Sequence, residues 1–275
     1  MTVSQIRSSW DALAAGYDEH VTPTHTWIGN EALRRAGLEA GMRFLDVAAG
    51  SGALSIPAAR LGAQVLSTDL SPRMLECLSA RALREGLSDR IECRAMNGQA
   101  LELDDDRFDI VGSQFGVMLF PDMPRGIVEM ARVVKPGGKV LVVAYGPPER
   151  VEFFAFFVAA LQAAAPGFSL PSDEPPLPFQ LGDSQRLRRE LADAGLSDVR
   201  VDTVTERLMF GSAEQMWDWL VNSNPVAGAM LAALGVSDAQ LATVKGALGE
   251  QLRQRFDERG IATLECEVHI GVGTK

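Results

Sequence analysis

Apolar residues recur at helical spacing from the start of the chain, with Trp10, Leu13, Ala14 and Tyr17 on one face. Pro23 interrupts that pattern, a second helix is predicted from about Trp27 to Ala36, and Gly37 and Gly41 close the segment. From Met42 onward, short apolar runs alternate with amphipathic stretches. Arg43 to Val47 reads as a strand that ends in small residues, Ala48 to Gly52, and a helix then runs to Leu61 with Gly62 as its stop. Val65 to Asp69 is a second strand. Ser71 is placed to cap the next helix and Pro72 to occupy its first position, with Leu75, Leu78, Ala82 and Leu83 as the apolar face before Gly86. Ile91 to Ala95 and Phe108 to Phe115 are strands three and four, with Asp104 to Asp106 as the turn between them. Ile127, Val128, Met130, Ala131 and Val134 line a helix, which Pro136-Gly137-Gly138 turns into a fifth strand, Lys139 to Ala144.

Five strand–helix units within roughly 100 residues predict an α/β fold with a doubly wound, mostly parallel sheet, because parallel strands need crossovers of that length. Beyond Gly146 the alternation loosens into an apolar helix (Phe153 to Ala165), a proline-rich loop (Pro166 to Pro178) and a helix (Ser184 to Ala194). A sixth strand (Val199 to Met209), helices between Ala213 and Arg259, and a seventh strand (Ala262 to Val272) complete the pattern. The predicted organisation is a helical lid at 1–40 and one domain at 41–275, with 147–182 and 213–259 as additions. Segment 213–259 reads as a helical insertion because a strand lies on each side of it.

Composition narrows the partners. Of 275 residues, 47% are hydrophobic and 23% charged, so a large core is available; the net charge of −10, without any Lys/Arg block, argues against nucleic acid. The most apolar stretch, Phe153 to Ala165, falls short of the ~20 residues of a membrane span, and Met1 to Trp10 lacks the apolar core of a leader. Cys77, Cys93 and Cys266 form no CxxC pair, as expected of reduced thiols in a cytoplasmic protein. His20, His25 and His269 have no HExxH spacing, so no metal site is expected. The expected partner is a small molecule; a homodimer is left open.

The chemistry concentrates in Asp46-Val-Ala48-Ala-Gly50-Ser-Gly52 and in Asp69 at the tip of strand two. Small residues at 48, 50 and 52 permit a sharp turn and close approach of a ligand, while Asp69 is placed to accept both hydroxyls of a ribose. A dinucleotide fingerprint wants a third glycine, where this chain has Ser55. Asp46 would repel the phosphates of NAD but favour an ammonium group, which points to S-adenosylmethionine (SAM).

These residues resemble the class I SAM-dependent methyltransferases, specifically the type 11 branch that includes the ubiquinone/menaquinone-biosynthesis C-methyltransferases. The resemblance covers about Trp10 to Tyr145, carried by Leu45 to Gly52 (LDVAAGSG), Thr68 to Leu75 (TDLSPRML), Phe108 to Val111 (FDIV) and Arg132 to Gly138 (RVVKPGG). It implies the seven-stranded, Rossmann-like methyltransferase fold. It further implies that Asp46, Ala48, Gly50 and Gly52 surround the methionine part of SAM, with Asp69 on the ribose and Leu70 and Met74 beside the adenine. Where the family usually carries Gly-Asp-Ala, this chain has Met96-Asn97-Gly98, so Asn97 would accept from the adenine amino group in place of an acid. Ala48 likewise stands for a glycine. Gln114 and Phe115 fall where donor and acceptor meet, and the Tyr17-Asp18 pair implies a lid tyrosine on the cofactor.

Methyl transfer from a sulfonium needs alignment and, for some acceptors, removal of one proton. His20 and His25 are the candidate bases, since the N-terminal segment should fold over the acceptor mouth. Phe154, Phe157, Trp217 and Asn222, outside the common motifs, are the candidate acceptor contacts, which suits an aromatic or lipophilic metabolite. A SAM- or nucleoside-binding protein without catalysis, and an NAD-linked oxidoreductase, are the alternatives.

Overall fold

A computed structural model describes residues 2–169 and 176–275; Pro171 and Pro175 of the expected loop fall outside that set. Its centre is a seven-stranded sheet: β1 (Arg43–Val47), β2 (Gln64–Asp69), β3 (Ile91–Ala95), β4 (Phe108–Gln114), β5 (Val134–Tyr145), β6 (Ser197–Phe210) and β7 (Ala262–Thr274). The strand order is β3-β2-β1-β4-β5-β7-β6, with β7 antiparallel to both β5 and β6 and the other pairs parallel. This is the predicted doubly wound α/β arrangement. The order reverses at β1/β4, which opens a crevice at the carboxyl ends of those two strands.

The helices are α1 (Val3–Gly16), α2 (Thr26–Ala36), α3 (Ser55–Arg60), α4 (Pro72–Arg84), α5 (Met123–Val133), α6 (Glu152–Ala164) and α7 (Ser184–Asp193), then α8 (Ala213–Trp217), α9 (Pro225–Ala233) and α10 (Asp238–Arg253) between β6 and β7. Local chemistry accounts for several ends. Ser71 Oγ accepts from the Met74 N–H and Pro72 takes the first helical position of α4, while Gly37 ends α2 at φ +72°.

Four expectations are corrected. Leu83 and Val128, placed on apolar faces, are 72% and 42% exposed, because each stands one position beyond the stripe that meets the sheet. Val134 belongs to β5 and pairs with Phe108, and the Pro136-Gly137-Gly138 turn is an irregularity inside that strand, where the register shifts. No helix joins β3 to β4, so the fifth strand–helix unit is lacking there. Between α1 and α2 the chain runs through a π-turn (Tyr17–Val21) and a 3-10 turn (Thr22–His25), not a plain interruption at Pro23.

The N-terminal segment is clamped onto the sheet domain by polar contacts. Ser71 Oγ donates to Asp11 Oδ1 at 2.6 Å, and the Arg81 guanidinium donates to the Asp18 carboxylate and to its carbonyl. Residues Val140 to Ala144 of β5 have no exposed surface, which makes this strand the spine of the core. Among the described residues, no helix is long and apolar enough to cross a membrane.

Candidate active site

β1 ends at Asp46-Val47 and turns sharply into α3. Asp46 is 1% exposed; its Oδ2 accepts from Ser55 Oγ at 2.6 Å, while Oδ1 is buried without a partner. Burial, and secondarily the charge of Asp69, push its carboxyl up to about 7, against the Ser55 hydrogen bond. At the tip of β4, Gln114 Nε2 donates to the carbonyl of His25 at 3.0 Å and leaves its Oε1 buried and unpartnered. Asp46 and Gln114 line the same small recess, of about 20 Å3, together with Tyr17, His25, Ala48, Gly50 and Phe115. Two buried acceptors without donors are costly, and an ammonium group answers both.

The turn is strained. Ala48 has φ +58°, in the left-handed region where a side chain costs about 1–2 kcal/mol, so the alanine that replaces a glycine here is a liability to the fold. Gly50 donates its N–H to Asp69 Oδ2 at 2.9 Å, and Ser71 N–H donates to Asp69 Oδ1 at 2.8 Å. Burial raises the Asp69 carboxyl to about 6 despite these amides. Asp69, Leu70, Met74, Asn97, Gly98 and Gln99 line a second recess, of about 90 Å3, roofed by Trp10 and Tyr17. Asn97 Oδ1 accepts from the Gln99 N–H at 3.0 Å and from Gln99 Nε2 at 3.4 Å, so a ligand amino group there would take the place of the longer, side-chain bond.

A third recess, of about 60 Å3, is walled by aromatic rings. Phe115 stacks on Tyr145 at 4.3 Å, Tyr145 meets Phe153 edge-on at 5.3 Å, and Phe153 meets Trp219 at 4.9 Å. Tyr17 and Phe115 border all three recesses and separate the polar side from the aromatic side. Phe115 itself holds φ +55°, a left-handed conformation at the seam. A larger hollow of about 570 Å3, lined by Arg43, Arg90, Arg94 and Arg107, opens beside the strand beginnings, away from the switch point.

Of the residues singled out from sequence, Tyr17, Asp46, Ala48, Gly50, Asp69, Leu70, Met74, Asn97, Gly98, Gln114 and Phe115 line the two polar recesses. Gly52 does not. Its φ is +101° and a Cβ there would lie 2.3 Å from Leu78 Cδ1, so it serves the packing of α3 against α4. His25 borders the aromatic recess along with Phe154 and Phe157, whereas His20 is partly exposed in the π-turn and lines none of the recesses described. Trp217 is buried elsewhere with the Lys245 ammonium 5.5 Å from its ring, and Asn222 is exposed and bonded to Asp218. Trp219 and Asn224 take those places, since a π-turn at Asp218–Asn222 rotates the face from ordinary helical spacing.

Sequence reasoning missed Tyr145 and Glu206. Glu206 is 1% exposed and its Oε1 lies 3.0 Å from His25 Nδ1. The signal was present: Glu206 alternates with Leu208 and Phe210, a charge on the inward face of a strand. Among the described residues, no group of three or more potential metal ligands clusters.

Comparison with known proteins settles the lineage. A model of the ubiE/COQ5 methyltransferase family matches residues 18–164, more than half of the chain. The chain belongs to that family. A demethylmenaquinone methyltransferase of Mycolicibacterium gilvum is 31% identical over 215 residues, spanning 73% of this chain and 90% of the relative. An uncharacterized protein of Mycobacterium tuberculosis is 41% identical over 149 residues, 54% of this chain, and the match spans about half (52%) of its length. Among solved structures, the [4+2]-cyclase SpnF superposes with a TM-score of 0.65 at 17% identity, covering 100% of this chain and 97% of that one. Phosphoethanolamine N-methyltransferase 2 of Haemonchus contortus, solved with SAM, gives a TM-score of 0.56 at 21% identity, covering 90% and 52%. These structures share the fold of this ubiE/COQ5 family member. The family is SAM-dependent, and the orphaned acceptors of Asp46 and Gln114 suit that cofactor's cationic end where phosphates would be repelled.

Proposed function

We propose that this chain transfers the methyl group of SAM to a small, apolar, aromatic metabolite. The observation that carries this reading is the junction of two unlike recesses across Tyr17 and Phe115: one offers unpaired acceptors, the other stacked rings. Asp46 and Gln114 would hold the amino-acid end of the cofactor, Asp69 its ribose diol, and Leu70 and Met74 its adenine. Bound there, SAM supplies a methyl group on an already activated sulfur. The protein then has to orient the acceptor, exclude water and take a proton where the acceptor has one to lose.

Segments 1–40, 147–182 and 213–259 form the acceptor side in this reading. Trp10 and His25 come from the first, Phe154, Phe157 and Phe179 from the second, and Trp219 and Ala227 from the third. Their apolar surfaces suit a flat ring system held by stacking, with Asn224 the amide at the rim. Trp219 Nε1 donates to Thr24 Oγ1 at 3.1 Å, so the third segment is tied to the first above the recess.

The test is transfer of radiolabelled methyl from SAM to an organic-extractable pool of aromatic metabolites, with SAM affinity measured by calorimetry. SAM binding together with label in an aromatic product is the expected result. Binding without transfer to any member of the pool would make the chain a SAM-holding protein, and tighter binding of NAD than of SAM would overturn the cofactor.

A further inference from the structure

Glu206 projects from the inward face of β6 into a layer that is otherwise apolar, beside Leu208 and Phe210. Its Oε1 faces His25 Nδ1 at 3.0 Å, both side chains are at most 3% exposed, and its Oε2 is buried without any partner. A carboxylate buried with one hydrogen bond is expensive unless a positive charge arises beside it.

We propose that Glu206 is a positioning residue that holds the His25 imidazole as proton acceptor for a molecule bearing an acidic aromatic hydroxyl. This rests on the methyltransferase reading above and names the acceptor class. A carboxylate can only accept, so the His25 proton sits on Nδ1 and Nε2 keeps its lone pair. On that side Nε2 meets a phenol, Tyr145 Oη, at the long distance of 3.5 Å, and the ring borders both the Asp46 recess and the aromatic recess. When Nε2 takes a proton, the imidazolium becomes the counter-charge that Glu206 lacks.

The other titratable groups facing His25 are unsuited to the task. Burial holds the phenols of Tyr145 (β5) and Tyr17 (π-turn) well above their ordinary range, and it pushes the Cys266 thiol, opposite Glu206 on β7, up to about 12. Asp46 shares the smaller recess but does not line the aromatic one. In the step proposed, the acceptor hydroxyl gives its proton to Nε2 and an oxygen electron pair forms the bond to the methyl carbon. The carbon–sulfur bond breaks with both electrons remaining on sulfur, which passes from sulfonium to neutral thioether, and the imidazolium later releases its proton to solvent. A tertiary amine or thioether, with no proton to lose, would leave the dyad idle.

Two measurements test this. Long-range proton–nitrogen NMR of histidine-labelled protein, assigned with His25→Ala, is expected to show the Nδ1–H tautomer at His25 and its loss in Glu206→Gln. Steady-state kinetics then compare 2-naphthol with a nitro-2-naphthol that is already ionised at the assay pH. Glu206→Gln and His25→Ala are each expected to lose about 10²-fold in kcat on 2-naphthol but less than tenfold on the ionised analogue. SAM affinity, by calorimetry, should stay within about twofold in Glu206→Gln, which separates positioning from misfolding. An Nε2–H tautomer in the wild type, equal losses on both naphthols, or no transfer to either by protein that binds SAM would each overturn the proposal. The tautomer is read without cofactor or acceptor, so failure to bind SAM counts against the methyltransferase reading and leaves the dyad to be judged by NMR.

Discussion

On the side we assign to the cofactor, Asp46, Ala48, Gly50 and Asp69 all lie within one strand–helix–strand unit and are linked by short-range bonds such as Gly50 N–H to Asp69. The acceptor side gathers Tyr17, His25, Tyr145, Phe153, Glu206 and Trp219 from separate elements, and the His25–Glu206 contact closes a sequence separation of 181 residues. The first is a polar turn under backbone strain, with φ +58° at Ala48; the second is an aromatic cage around one buried imidazole–carboxyl hydrogen bond. The cofactor side therefore depends on backbone geometry, which tolerates few residue types. The acceptor side depends on side-chain packing, which many sequences can satisfy. A family can hold the first constant while varying the second.

The comparison breaks if glycines on the cofactor side are there only for the ligand. Gly52→Ala meets both a left-handed backbone and Leu78 Cδ1 at 2.3 Å, and should cost about 3 kcal/mol or more in urea denaturation. Because Gly52 lines neither polar recess, the folded fraction should still bind SAM with nearly wild-type affinity in calorimetry. Lost affinity with unchanged stability would place this glycine on the ligand instead.

A smaller effect sharpens the electrostatics of the same side. With its carboxyl raised to about 7, Asp46 favours the folded, ligand-free state at low pH, and that contribution disappears as pH rises through about 7. A cationic ligand favours the ionised carboxylate, so SAM binding should release a proton and tighten by up to roughly tenfold per pH unit between about pH 5.5 and 7. Calorimetry in buffers of different ionisation enthalpy reads the proton directly. The same experiment on Asp46→Asn should lose most of the linked proton and flatten the profile above about pH 6, where Asp69 is already ionised.

The same contrast explains what could be read from the chain alone. Strands, their order of appearance and the acidic tips Asp46 and Asp69 were legible because alternation, small-residue turns and cap residues act over a few positions. Val134 was misplaced because the irregularity at Gly137 lies inside β5, which lets the strand begin before the turn residues. Trp217 and Asn222 were chosen by ordinary helical spacing, and the π-turn at Asp218–Asn222 moved the lining to Trp219 and Asn224. Glu206 was visible as a charge on a strand's apolar face, but its partner is set by the tertiary fold, which brings the 3-10 turn of the N-terminal segment against β6.

A crystal structure of the protein with SAM would show directly whether the two recesses meet at the transferred methyl group. The α-amino group should lie on Asp46 Oδ1 and Gln114 Oε1, the ribose on Asp69, and the methyl group should face the aromatic recess beside His25 and Phe115. A cofactor whose methyl group faces solvent, or whose amino group leaves those two acceptors unpaired, would contradict this arrangement.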